Sequence, residues 1–253
     1  MGIEIYAMTC GWLTMSMKLM IEGGEGKLKV PVPSYLIRHP KGNVLFDTGL
    51  NKHIQTDPVG RLGDLTKYYG IDFEAGQDVK ARLEALGVEP KDITYLVNSH
   101  LHFDHCGGND QIDCCPMVVQ KAEWDAATDP DMAAKIGFKP EDFDHGHDRI
   151  VADGEHDLFG DGSVVCIPTP GHTPGHQSLR VKLDSGEVVL TGDACYLRRT
   201  LAEMKLPRIL FDAEQMMESL RKLKALQDRG ARIFYGHDPE FWQTLPHAPE
   251  AIR

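Results

Sequence analysis

The segment Ser99-His-Leu-His-Phe-Asp-His105 constrains this chain more than any other. Four metal-binding side chains, His100, His102, Asp104 and His105, fall within six residues. A run this dense in imidazole and carboxylate is costly to bury unless a cation collects the donors. It follows the apolar run Tyr95-Leu-Val-Asn98, which reads as a buried strand, so the donors sit at a strand end. Taken as extended backbone, the segment projects positions 100, 102 and 104 to one side and His105 elsewhere. One segment could thereby serve two neighbouring ions.

Further donors stand at the ends of other strands. His172 follows the strand Ser163 to Ile167 through Thr169-Pro-Gly. Asp193 follows Glu187 to Thr191, and His237 closes the last buried strand, Arg232 to Tyr235. Each of these alone is a weak signal. Together they make five imidazoles and two carboxylates without a thiolate, a set suited to two dications of the Zn(II), Fe(II), Mn(II) or Co(II) kind sharing a carboxylate.

The rest of the chain alternates strands with amphipathic helices, as in an α/β or α+β layered fold. Ser34 to Arg38 and Asn43 to Asp47 read as strands joined by the turn His39-Pro-Lys-Gly42. Gln77 to Leu86 carries Val79, Leu83 and Leu86 on one helical face, ended by Gly87. Pro116 to Gln120 is a strand followed by a short helix bearing Trp124. Asp212 and Gln215 have the spacing of a capping box before a helix that buries Met216, Leu220 and Leu223 and stops at Gly230. The stretches 51–76 and 129–148 read as long irregular loops, a common form for functional covers.

A length of 253 residues admits one large domain or two small ones. The net charge of −11 disfavours nucleic acid and anionic membrane surfaces. No run of about 18 apolar residues suggests a membrane span. Met1 to Met20 lacks a basic leader and a small-residue cleavage site, so the expected location is the cytoplasm. Cys10, Cys106, Cys114, Cys115, Cys166 and Cys195 form no C-x-x-C pair and read as reduced, mostly buried residues.

The set His100-x-His-x-Asp-His105, His172, Asp193 and His237, in this order, resembles the metallo-β-lactamase superfamily. Within it, Ser-His-Leu-His-Phe-Asp-His-Cys-Gly-Gly-Asn109, Thr-Pro-Gly-His-Thr-Pro-Gly-His-Gln-Ser178 and Gly-Asp-Ala-Cys-Tyr196 are similar to the N-acyl homoserine lactone lactonases, the quorum-quenching enzymes. The resemblance spans about Val30 to Pro239. It implies a single domain over 1–253 with an αββα sandwich, two mixed β-sheets flanked by helices. It also implies one ion on His100, His102 and His172, another on Asp104, His105 and His237, and Asp193 bridging them.

The activity so implied is opening of a lactone ring by a hydroxide shared between two ions, zinc being the first expectation and iron, cobalt or manganese the others. Tyr196 would donate to the developing oxyanion, and Asp104 would pass a proton to the leaving alkoxide. The alternative is hydrolysis of another lactone, ester or thioester on the same centre. A thioesterase with a C-terminal helical domain is disfavoured by the 16 residues after His237.

Asp47 reads either as a carboxylate orienting a ligand imidazole or as a turn former, and His176 as a non-ligand. Asp144-His-Gly-His-Asp148 reads as a solvated loop. Trp12, Met15, Leu19 and Met20, like Tyr68, Tyr69 and Phe73, read as core, as a homodimer contact or as a wall for an acyl chain.

Overall fold

The computed structural model describes residues 2–253. Two mixed sheets pack face to face with helices on their outer faces, the architecture that the resemblance implies. The first sheet holds β1 (Glu4–Ser16), β2 (Lys27–His39), β3 (Gly42–Phe46), β4 (Gly70–Asp72), β5 (Ile93–Val97), β6 (Met117–Gln120) and β7 (Arg149–Ala152), in the order β4-β1-β2-β3-β5-β6-β7. Its strands are antiparallel from β4 to β3 and parallel from β3 to β7. The second sheet holds β8 (His156–Asp157), β9 (Val164–Pro168), β10 (Gln177–Leu183), β11 (Gly186–Leu190) and β12 (Arg232–Phe234), in the order β12-β11-β10-β9-β8. There β11 and β12 run parallel and the other pairs antiparallel.

Side-chain alternation divides these strands between two interiors rather than between core and water. Ile5, Ala7, Tyr35, Ile37, Val44 and Phe46 meet Val164, Cys166, Leu179, Val181, Val188 and Leu190 across the sandwich. Their neighbours Tyr6, Met8, Leu36 and Leu45 turn to the other face, onto Val79, Leu83 and Ala126 of the helices. In the second sheet Val165, Ile167, Val189 and Ile233 pack outward onto Leu220, Leu223 and Leu226 of the helix Ala213–Asp228. With both faces buried, the central strands carry apolar runs and little polar alternation.

The β2–β3 hairpin forms as expected, with His39 opposite Gly42. The helix expected over 77–86 is confined to Val79–Glu84, capped by the Asp78 side chain on the Ala81 N–H. Asp212 caps its helix by accepting from the Gln215 N–H at 3.0 Å. The capping box is half made, because the Asp212 N–H donates to Gly171 O.

Two expectations fail. The stretches 51–76 and 129–148 are not irregular: they contain the short helices Lys52–Gln55, Pro58–Leu62, Gly63–Lys67, Pro130–Ile136 and Pro140–Phe143, and strand β4. Asp57 and Asp129 start two of them, each with a proline in the first turn. Helices of four to seven residues are too short for apolar periodicity to show. The segment from Ser99 to His105 is not extended either. The N–H groups of His105 and Cys106 both donate to His102 O, which curls it into a helical turn.

Among the described residues no helix is long and apolar enough to cross a membrane. The six cysteines are free, and all but Cys114 are buried.

The β9–β10 loop is held tightly against the helix Ala213–Asp228. Gly171 has φ of 128°, and a Cβ there would lie 2.2 Å from Met216 N. Gly186 has φ of 121° with nothing within 4 Å of its Cβ position. Gly171→Ala is therefore expected to cost about 1–3 kcal/mol more than Gly186→Ala in urea unfolding. Equal losses would contradict this close packing.

Candidate metal centre

The turn after β5 and the loops after β9, β11 and β12 bring the seven expected donors to one place. Ligand atoms of His100, His102 and His172 lie within 4.8 Å of one another, as do those of Asp104, His105 and His237, and those of His100, His105 and Asp193. Asp193 stands between the groups. Its Oδ1 is 3.2 Å from His105 Nε2 and 3.0 Å from His237 Nε2. Its Oδ2 is 3.3 Å from His172 Nε2 and 3.8 Å from His100 Nε2. Asp104 Oδ2 lies 3.7 Å from His237 Nε2 and 3.8 Å from His105 Nε2. The helical turn at 102–106 makes this split: His100 and His102 serve one group, Asp104 and His105 the other. The grouping of 100, 102 and 104 expected from extended backbone does not occur.

The far nitrogen of each ring is tied to a different part of the fold. His102 Nε2–H donates to Ile136 O at 3.1 Å, His172 Nδ1–H to Ile209 O at 3.1 Å and His237 Nδ1–H to Pro31 O at 2.8 Å. His105 Nδ1–H donates to Asp47 Oδ2 at 2.9 Å. Ser99 Oγ lies 3.0 Å from His100 Nδ1 and donates to Asp47 Oδ2 at 2.8 Å, while Ser99 N–H donates to Asp47 Oδ1 at 2.7 Å. Such contacts fix each ring's tautomer and aim its other nitrogen at the centre. Asp47 combines the two roles open from sequence, since its φ of 60° turns the chain while its carboxylate holds His105.

These side chains fit divalent cations. His100 Nε2, His105 Nε2 and Asp193 Oδ1 are buried and make no hydrogen bond despite the close approaches, so the donors are left for another partner. Burial holds His100 and His172 well below the usual histidine range, and lowers His102 as well. These rings therefore stay neutral, the form that ligates. Burial also opposes charge on His105 and His237, but the carboxylates of Asp193 and Asp104 outweigh it and raise both. Asp193, likewise buried, is kept ionised by His105, His237 and His172.

A cavity of about 130 Å³ opens over the centre, walled by Met15, Leu65, Tyr69, Phe103, Ile136 and Ile209. Tyr196 also lines it, its ring 5.6 Å from that of His237 and its OH 3.3 Å from His172 Nδ1. Burial, with Asp193 nearby, raises the Tyr196 phenol far above its ordinary value and keeps it protonated. A wider groove of about 650 Å³ runs along the β12 edge, but its walls carry no side-chain carboxylate, imidazole or thiol. The chemistry lies at the smaller cavity.

Among the other residues singled out in the sequence, His176 is not among the ligand groups. Its Nε2 accepts the Asp193 N–H at 3.0 Å, and burial lowers it to about 3. Met15 and Tyr69 wall the cavity, whereas Met20 and Phe73 are core and Tyr68 is exposed. The 144–148 segment is not simply solvated, because His147 is buried and donates from Nε2 to Ile112 O at 2.7 Å. Sequence reasoning missed Phe103, although it lies between two donors, and the carbonyls of Ile136 and Ile209, which no motif marks.

A model of the family described as "Metallo-beta-lactamase superfamily" matches residues 29–237. The chain is 35% identical to N-acyl homoserine lactonase AttM of Azorhizobium caulinodans, over 98% of this chain and 97% of that protein. It is 33% identical to N-acyl homoserine lactonase AiiA of Bacillus thuringiensis subsp. kurstaki, over 89% and 88%. Its fold superposes with a TM-score of 0.88 on a solved N-acyl homoserine lactone hydrolase carrying the product N-hexanoyl-L-homoserine at its catalytic metal centre, with 28% identity and 98% of each chain covered. The donor set, the sandwich that assembles it and these likenesses agree: the chain belongs to the metallo-β-lactamase superfamily, in its family of N-acyl homoserine lactonases.

Proposed function

We propose that this protein is a hydrolase that opens the lactone ring of N-acyl homoserine lactones at a centre of two divalent ions, zinc in the first instance. The observation that carries the reading is the Asp193 carboxylate, with Oδ1 turned to His105 and His237 and Oδ2 to His172 and His100. His100, His102 and His172 would hold one ion, and Asp104, His105 and His237 the other, with Asp193 shared. Ions of this kind supply a nucleophile at neutral pH and polarise the ester carbonyl.

The chain's own groups supply the rest. Tyr196, a buried neutral phenol on the cavity wall, donates to the oxygen on which negative charge develops. Asp104, the more exposed of the two donor carboxylates, passes a proton to the departing alkoxide. The apolar wall of Met15, Leu65, Tyr69 and Phe103 takes the acyl chain and excludes water from the ester. The small substrate is neutral, so the acidic surface does not repel it.

Ring opening of acyl homoserine lactones, followed by acid release, is expected to be abolished by a strong chelator and restored by Zn(II). Turnover of other esters or thioesters without any lactone opening would overturn the substrate assignment. Tyr196→Phe is expected to lower kcat about 100-fold with metal content unchanged. Loss of metal in that variant would assign Tyr196 a structural role instead.

A further inference from the structure

Strand β5, which delivers the His100–His105 turn, lies between β3 and β6 in the sheet. Each neighbour is followed by one buried carboxylate that reaches this turn. After β3 it is Asp47, which holds Ser99 and His105. After β6 it is Glu123, in the first turn of the helix Lys121–Thr128.

Glu123 is 0% exposed. Its Oε1 accepts the N–H of Leu101, the residue between His100 and His102, at 3.0 Å. Its Oε2 accepts Thr173 Oγ1–H at 2.7 Å and the Gly175 N–H at 2.9 Å, both in the loop that carries His172. That loop approaches so closely that a Cβ on Gly175 would lie 2.1 Å from Glu123 N. One carboxylate therefore joins the two segments, from opposite sheets, that supply His100, His102 and His172. Removing a carboxylate from water is costly, and an apolar side chain would fill the space without that cost. The three bonds offset part of the burial, which still raises the carboxyl, and they impose a fixed geometry, which an apolar contact would not.

We propose that Glu123 is a positioning residue of the metal centre: it holds the His100–His102 turn and the His172 loop at the separation that the His100/His102/His172 site needs. Asp47 differs, since it holds His105 directly and reaches His100 through the Ser99 hydroxyl. The inference rests on the two-ion reading given above. It differs from a general packing role in being selective, because the Asp104/His105/His237 group has no bond to Glu123.

The test compares wild type with Glu123→Gln, which keeps the shape but turns one acceptor into a donor facing an N–H or O–H group. Zinc affinity is read by competition with a chromogenic chelator. With Co(II) in place of zinc, the shifted ring-proton resonances of the histidines assign each ion to its site. The expected result is a 10–100-fold weaker ion at His100/His102/His172, with the other ion within about twofold of wild type. Unchanged affinity at both sites, or equal weakening at both, would overturn the proposal and leave Glu123 a packing role. Should Glu123→Gln fail to fold, Thr173→Val removes one of the three bonds and is expected to show the same selectivity with a smaller change; no change would again overturn it. A wild-type protein that binds no ion at His100/His102/His172 removes the two-ion reading itself, a failure visible before any variant is made.

Discussion

Asp193 stands in a nearly dry ring of imidazoles, its two oxygens facing two different pairs of them. Such an arrangement is unfavourable by itself. Six of the seven polar donors are buried, and His100 Nε2, His105 Nε2 and Asp193 Oδ1 find no hydrogen bond. On the proposed reading, the missing energy comes from cations, so metal binding and completion of the fold at this edge are one process. On the same reading the carboxylate would make one dinuclear centre of what would otherwise be two separate sites, since one anion would offset charge on both sides.

The fold serves that centre chiefly through what lies behind the donors. Four of the five imidazoles are held by a partner from a separate segment: Pro31 in β2, Asp47 after β3, Ile136 at the end of a short helix, Ile209 before the helix Ala213–Asp228. Glu123 ties the main chain of two donor-bearing loops. The sandwich, with both faces of its strands buried, supplies the rigidity on which these contacts depend. The helices at Pro58–Leu62 and Pro130–Ile136 lie in the stretches beside the cavity, whose walls include Leu65 and Ile136.

Much of this was legible in the chain. The donors announced themselves through the dense run His100 to His105 and the recurrence of imidazole or carboxylate at three further strand ends, and the cap at Asp212 and the end at Gly87 followed from local chemistry. Strand β1 was not read. Residues 5–8 are buried on both faces, so Ile5, Tyr6, Ala7 and Met8 carry no alternation to mark its first half. The curl at 102–106 was hidden because it depends on main-chain bonds to His102 O, which any residue can make. Glu123 belongs to no motif that would mark it in the sequence. Its role depends on Leu101, Thr173 and Gly175, distant in sequence and joined only by the packing of the two sheets.

Whether one carboxylate is shared by two ions is decided by anomalous diffraction at the zinc edge from crystals of the zinc-loaded protein. Two peaks about 3.5–4 Å apart are expected, one beside each Asp193 oxygen. A single peak enclosed by four protein ligands, with the remaining donors turned away, would contradict that sharing.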